Sequence, residues 1–113
     1  MATKTTDLAA LEDKAAEVAG ILRSLANERR LLILCKLAEW GEANVMSLAD
    51  AVGLSQSALS QHLAKMRHEG VVTFRRDAQT LWYRIADPRI DELFATLHRL
   101  FCQDETRIKR KKR

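Results

Sequence analysis

Leu48-Ala49-Asp50-Ala51-Val52-Gly53-Leu54-Ser55-Gln56-Ser57-Ala58-Leu59-Ser60-Gln61-His62-Leu63 is the stretch on which the reading of this chain turns. Gly53 ends a short helix that Ser47 caps and Asp50 supports from its third helical position, and Ser55 caps the next helix. Two helices separated only by Gly53-Leu54-Ser55 make the tight corner of a helix-turn-helix. The second helix runs from Gln56 to Arg67 and stops at Gly70. It turns Ala58, Leu59, Leu63 and Met66 inward and leaves Gln56, Ser57, Ser60, Gln61 and Lys65 outside. An outer face of short amides and hydroxyls, in place of Glu–Lys pairs, suits the base edges of a major groove. His62 is a candidate phosphate or base contact on the same helix, and His68 a surface residue.

Beyond this helix, Val71 to Arg76 and Gln79 to Ile85 are two β-rich runs about an Asp77-Ala78 turn. They predict a hairpin with cations near its tip, the pattern of a wing. Arg75, Arg76, Gln79 and Thr80 are its candidate contacts to DNA backbone or minor groove, beside the reading helix from Ser55 to Lys65 in the major groove. Asp87-Pro88 opens a last helix whose stripe is Ile90, Leu93, Phe94, Leu97, Leu100 and Phe101. On the N-terminal side, Asn27 caps a helix carrying Leu31, Leu34, Cys35 and Ala38 on one face, closed by Gly41. Ahead of it, Leu8, Leu11, Ala15, Val18, Leu22 and Leu25 form a narrow seam, fit for a partner helix or for the chain's own core. Trp40, Trp82 and Tyr83 are expected to pack. The expected fold is mainly α with a small β-hairpin, a winged helix-turn-helix with an extra helix at each end.

The 113 residues suit one domain with a modest core, which a second copy of the chain would help to bury. Charge divides unevenly. Residues 107–113 hold six of the 19 cations and no acid, which leaves 13 cations against 15 acids over residues 1–106. Residues 1–106 are therefore expected to be the DNA-binding and dimerisation domain, and residues 107–113 a basic, disordered tail that binds polyanions weakly. Between Ser55 and Ile85 the cations Lys65, Arg67, Arg75, Arg76 and Arg84 face only Glu69 and Asp77. A basic stripe on a mildly acidic body is a phosphate-binding footprint.

Other classes fall away. No apolar run approaches the roughly 20 residues that span a bilayer, and Met1 to Asp13 lacks the pattern of a secretion signal. Two cysteines, Cys35 and Cys102, do not make a secreted disulfide scaffold. The expectation is a cytoplasmic protein with reduced thiols and no membrane contact. With no Ser-His-acid spacing, Gly-rich phosphate loop or Cys-x-x-Cys motif, neither enzymatic activity nor a cofactor is expected. A small dimeric module that contacts protein instead of DNA is the competing class, which the Ser/Gln face disfavours.

Leu25-Ala26-Asn27-Glu28-Arg29-Arg30-Leu31, Leu54 to Leu63, and Arg75-Arg76-Asp77-Ala78-Gln79-Thr80 resemble the ArsR/SmtB family of bacterial repressors over roughly residues 8–102. The resemblance implies a homodimer joined by its first and last helices, bound to an inverted-repeat operator and released by an inducer. The family's metal-sensing thiolates would fall near Asn44 to Ser47, where this chain has no cysteine. In its other metal pattern Asp87 is retained, but Arg89 and Leu100 stand in place of histidines. No metal site is expected at either position.

From spacing alone, Cys35 and Cys102, on or beside apolar stripes, fit buried packing better than reactivity. Together with Arg75-Arg76-Asp77-Ala78-Gln79, however, the pair resembles the sulfur-responsive, BigR/SqrR/HlyU-like branch of the family. That resemblance implies regulatory thiols that become bridged, by a disulfide or a polysulfide, on exposure to persulfide or sulfide. Arg99 or His98 would lend Cys102 thiolate character. The alternatives are a general thiol redox switch and a metal-responsive set of Cys35, His98 and Cys102.

Overall fold

The computed structural model describes residues 2–102, with side chains from Leu8 onward. The chain runs α1 (Ala2–Asp13), α2 (Ala15–Leu25), α3 (Glu28–Trp40), α4 (Val45–Val52), α5 (Gln56–His68), β1 (Val72–Asp77), β2 (Thr80–Ile85) and α6 (Pro88–Phe101). The winged helix-turn-helix expected from the sequence is present. The basic stretch 107–113, with residues 103–106, lies outside the described residues.

The core forms around α3. Asn27 caps this helix as expected, its side chain accepting from Arg30 N at 3.1 Å, and Gly41 closes it at φ 85°. Its buried face is Ile33, Leu34 and Leu37, against which Leu48 of α4, Leu59 and Leu63 of α5, and Ile90 and Phe94 of α6 are gathered in one cluster. The inward stripe is thus rotated from the expected one. Leu34 is shared, Leu31 is half-buried, and Cys35 and Ala38 lie on the exposed side. Ile33 and Leu37 take the core because a helix at 3.6 residues per turn brings i, i+1 and i+4 onto one face.

Local capping places the reading head. Asn44, not Ser47, caps α4, accepting from Ser47 N at 2.8 Å, so the helix starts earlier than expected. Gly53 then adopts the left-handed conformation (φ 71°, ψ 33°), and Ser55 caps α5 by accepting from Ala58 N at 3.1 Å. Leu59, Leu63 and Met66 are fully buried and Ala58 half-buried, the inward face expected of this helix.

The hairpin pairs Val72 with Ile85 through Asp77 with Thr80. Its connection is therefore Ala78-Gln79, one residue later than expected, with Ala78 at φ 57°. The wing is rooted by Ala43, which exchanges two backbone hydrogen bonds with Tyr83 at 3.0 and 2.8 Å. Tyr83 is buried and meets Phe74 edge-on at 5.2 Å, while Trp82 is half-buried. Trp40, expected to pack, is largely exposed, with the Lys36 ammonium 5.5 Å from its ring centre.

The N-terminal seam lies on two helices, not one. Lys14 N bonds back to Leu11 O at 3.0 Å, an i to i−3 bond that tightens the turn after Asp13 and ends α1. Of the seam, Leu25 is buried and Val18 half-buried, whereas Leu8, Leu11, Ala15 and Leu22 are exposed. At the other end of the chain Leu100 and Phe101 are 59% and 68% exposed, although Ile90 and Phe94 of the same stripe are buried.

At Gly53 an added Cβ would meet nothing within 4 Å, so its substitution tests the backbone alone. Gly53→Ala is expected to lower unfolding free energy by about 1 kcal/mol, from the left-handed strain of a non-glycine residue. Urea denaturation followed by circular dichroism measures it. An unchanged midpoint would mean that the α4–α5 corner relaxes.

Candidate functional site

The outer face of α5 is assembled as expected. Gln56, Ser57, Ser60, Gln61 and Lys65 are exposed, and His62 is half-buried. Ser55 is exposed too, but its hydroxyl oxygen is engaged as the helix cap. Arg67 lies over the Phe74 ring at 4.4 Å, which holds the end of α5 against the wing.

In the wing, Arg76, exposed, and Thr80, half-buried, stand beside the exposed Gln79 of the tip. Arg75 is held differently. Its Nε and terminal nitrogen donate to the two oxygens of Glu42 at 2.8 and 2.9 Å, and its guanidinium is 5.8 Å from the Trp82 ring. The hydrogen bond to Arg75 holds the Glu42 carboxyl below its usual range. Sequence reasoning missed this fork, because Glu42 and Arg75 are 33 positions apart with no local pattern to join them.

A second polar cluster fixes the C-terminal end of α5. The Arg30 guanidinium, only 13% exposed, donates to Ser24 O at 2.8 Å and to Glu69 Oε1 at 3.0 Å. Ser24 Oγ donates to the same carboxylate oxygen. The Ser24 bond, followed by the Arg30 bond and charge, keeps the Glu69 carboxyl below its usual range despite partial burial.

The two cysteines, 67 positions apart in sequence, line one groove between α3 and α6, of about 660 Å³. From α3 come Cys35, Ala38 and Glu39; from α6 come Asp91, Phe94, Ala95, His98 and Cys102. Cys35 is exposed and Cys102 half-buried. Partial desolvation raises the Cys35 thiol pKa, and the proximity of Cys102 raises it further, against an opposing pull from Lys36. Cys35 is therefore kept as the protonated thiol.

Among the described residues no group of three His, Cys, Asp or Glu side chains converges closely enough to hold a metal ion, Cys35, His98 and Cys102 included. Asp87 is already occupied. It caps α6 through Arg89 N at 2.9 Å and receives the Arg89 guanidinium at 2.7 Å, while Arg89 also reaches Glu17 at 3.0 Å. These bonds from Arg89 push the Asp87 carboxyl down. Among the described residues no helix is long and apolar enough to cross a membrane.

The sequence model of the bacterial regulatory proteins of the arsR family matches residues 27–73, from the cap of α3 into β1. Over 97 residues the chain is 43% identical to the transcriptional activator HlyU of Vibrio cholerae, spanning 86% of this chain and 89% of that protein. The chain belongs to the ArsR family. Within it, the chain stands with the BigR/HlyU-like branch. The structure of reduced HlyU from Vibrio cholerae superposes with a TM-score of 0.76 at 44% identity, covering 82% of this chain and 97% of that one. That of the transcriptional repressor BigR from Xylella fastidiosa gives 0.75 at 36% identity, covering 81% and 93%. The homodimeric winged helix-turn-helix DNA-binding domain Mb0332 of Mycobacterium bovis gives 0.67 at 38% identity, covering 81% and 82%. This protein is accordingly a winged-helix transcriptional regulator of the ArsR family.

The raised Cys35 pKa is open to direct measurement. Alkylation by iodoacetamide, mapped by peptide mass, is expected to rise for Cys35 at higher pH than for free cysteine, since only the thiolate reacts. Cys102→Ser removes the neighbour whose proximity raises the Cys35 pKa and is expected to move that profile to lower pH. A Cys35 profile at or below that of free cysteine would contradict the assignment.

Proposed function

We propose that the protein is a homodimeric repressor that binds an inverted-repeat operator and lets go when Cys35 and Cys102 are bridged by reactive sulfur. The observation that carries this reading is the meeting of the two thiols across the α3–α6 groove. One of those helices builds the core on which the reading head stands. The other ends in exposed Leu100 and Phe101.

Dimerisation follows from the apolar surface left over. Leu8, Leu11 and Leu22 are 61%, 50% and 51% exposed, and with Leu100 and Phe101 they make the helical faces at the two ends of the chain that a second copy would cover. Two reading helices related by a two-fold axis then take half-sites about one helical turn apart. Ser55, Gln56, Ser57, Ser60, Gln61 and His62 lie along the major groove. Lys65, Arg75, Arg76, Gln79 and Thr80 lie along phosphates and the wing's groove. The tail at 107–113 adds sequence-independent attraction.

The switching chemistry balances without an outside oxidant. A cysteine thiolate attacks the outer sulfur of a hydropersulfide RS–SH, forming Cys–S–SH and expelling RS⁻, which takes up the thiol's proton as RSH. The second thiol then attacks the inner sulfur, which gives the disulfide and H₂S. If both thiols are first persulfidated, the same displacement gives a trisulfide and H₂S. The sulfane sulfur is reduced as the thiols are oxidised. A direct disulfide needs Cα atoms roughly 4.4–6.8 Å apart, and a trisulfide spans a wider gap. A hundredfold loss of operator affinity requires only about 2.8 kcal/mol of bias against the binding geometry.

Cys35→Ser and Cys102→Ser are expected to bind operator within about threefold of the parent chain, a difference under about 0.7 kcal/mol. Both are expected to lose release by persulfide, read by gel shift alongside intact mass. Loss of operator binding in both variants would give the thiols a packing role instead. Glu42→Gln is expected to free Arg75 for phosphate and remove a repulsive charge from each wing. Affinity for random duplex at low salt should rise about fivefold, and the log–log salt slope should steepen by up to about two per dimer. An unchanged slope would place Arg75 off the phosphate path.

A further inference from the structure

The groove that holds the thiols has a composition that selects among their reagents. Its floor is Phe94, 5% exposed, and the small Ala38 and Ala95 leave the space between α3 and α6 open. Its polar walls are Glu39 from α3 and Asp91 from α6, with His98. Among the described residues no Lys or Arg lines it. The cation next to Cys35, Lys36, places its Nζ 3.5 Å from Glu39 and 5.5 Å from the Trp40 ring centre, so one carboxylate is answered. Asp91 takes part in no ion pair among the described residues, which leaves the space around the thiols with an excess of negative charge over an apolar floor.

We infer that Glu39 and Asp91 make this groove a charge filter, so that the inducer is a small hydropersulfide whose carrier bears no net negative charge. This rests on the reading of Cys35 and Cys102 as the sensing pair, and adds the class of molecule that reaches them. The attacking thiolate must meet the outer sulfur of RS–SH with the carrier still attached, so the carrier lies in the groove or at its mouth during the displacement. An anionic carrier then approaches Asp91, which is in no ion pair among the described residues, and Glu39, which Lys36 only partly offsets, so it meets a repulsion that salt screens. A neutral carrier meets only the alanines and Phe94, and a cationic carrier is drawn in. Discrimination is built from repulsion, with no pocket shaped to a particular carrier.

The test uses the full-length chain and three hydropersulfides of similar size. These derive from cysteamine (cationic), 2-mercaptoethanol (neutral) and 3-mercaptopropionate (anionic), each normalised to its rate with free cysteine. Rates of sulfur gain at Cys35 and Cys102 are followed by quenched intact mass and peptide mapping. The expected order is cationic, neutral, anionic, with the extremes about tenfold apart at low salt and converging at high salt. In Glu39→Gln/Asp91→Asn the extremes are expected to fall within about twofold. Because the readout is a ratio between reagents, a change in thiol reactivity caused by the substitutions cancels. Equal normalised rates in the parent chain, or an order that survives in the double variant, would overturn the filter. In those cases the thiols still take up sulfur and the sensing reading stands. If no hydropersulfide modifies either thiol, that reading itself fails.

Discussion

Everything in this fold is referred to one buried stripe, Ile33, Leu34 and Leu37 on α3, with exposures of 0%, 0% and 1%. The helix-turn-helix, the wing and the last helix each bury part of their own apolar surface against it or its neighbours in the same cluster. A well-packed interior transmits displacement because it has few voids to absorb it. An α-helix that devotes one face to this core has its other face for something else, and in α3 that face carries Cys35. Cys35 and the support of the reading head therefore lie on two sides of one rod. In the proposed switch, a bridge from Cys35 to α6 would fix the angle between that rod and the helix that ends in exposed Leu100 and Phe101, and so act on the spacing of a dimer's two heads without touching either.

For such coupling to work, the head must move as a body. Its attachments at both ends of α5 favour this. The N-terminal end is set by the Gly53 corner and the Ser55 cap. The C-terminal end is clamped by Glu69, which takes bonds from Ser24 on α2 and from Arg30 on α3. Removing one partner from a poorly exposed guanidinium–carboxylate contact leaves a charge without its answer, which costs more than the contact contributes. The clamp thus ties the reading helix to the element that carries Cys35 and to the N-terminal helices in a single polar knot. The wing has its own tether in the Ala43–Tyr83 pair and the Glu42–Arg75 fork.

How much of this was legible in the sequence follows from the range of the interactions involved. Caps and corners are local, so Asn27, Gly41, Gly53, Ser55 and Asp87-Pro88 marked their helix ends correctly. Where two local solutions competed, the pattern misled. Asn44 and Ser47 are both good caps, and the choice fell to Asn44, whose side chain reaches Ser47 N. The hairpin connection slipped by one residue because Ala78 carries no turn signature for the positive φ it adopts. The stripe of α3 was misplaced because Leu31 to Cys35 is apolar on every side, so periodicity alone could not orient it. The break at Lys14 has no glycine or proline to announce it.

The functional groups divide along the same line. The Ser/Gln face of α5 was readable because it lies on one helix, whereas the Arg30–Glu69 clamp and the Glu42–Arg75 fork join residues 39 and 33 positions apart. The meeting of Cys35 and Cys102 was expected only by resemblance, since spacing alone favoured packing. A cysteine serving as a small hydrophobe belongs with Ile33, Leu34 and Leu37, and Cys35 instead sits at the edge of a groove with a second thiol within electrostatic reach. Its raised pKa does not argue against function. A thiol held protonated in the resting state is less exposed to adventitious oxidation, because the thiolate is the reactive form. If the pair senses reactive sulfur as proposed, reaction then depends on the reagent's own access to the groove, and the walls of that groove, more than the nucleophile, would decide what is sensed.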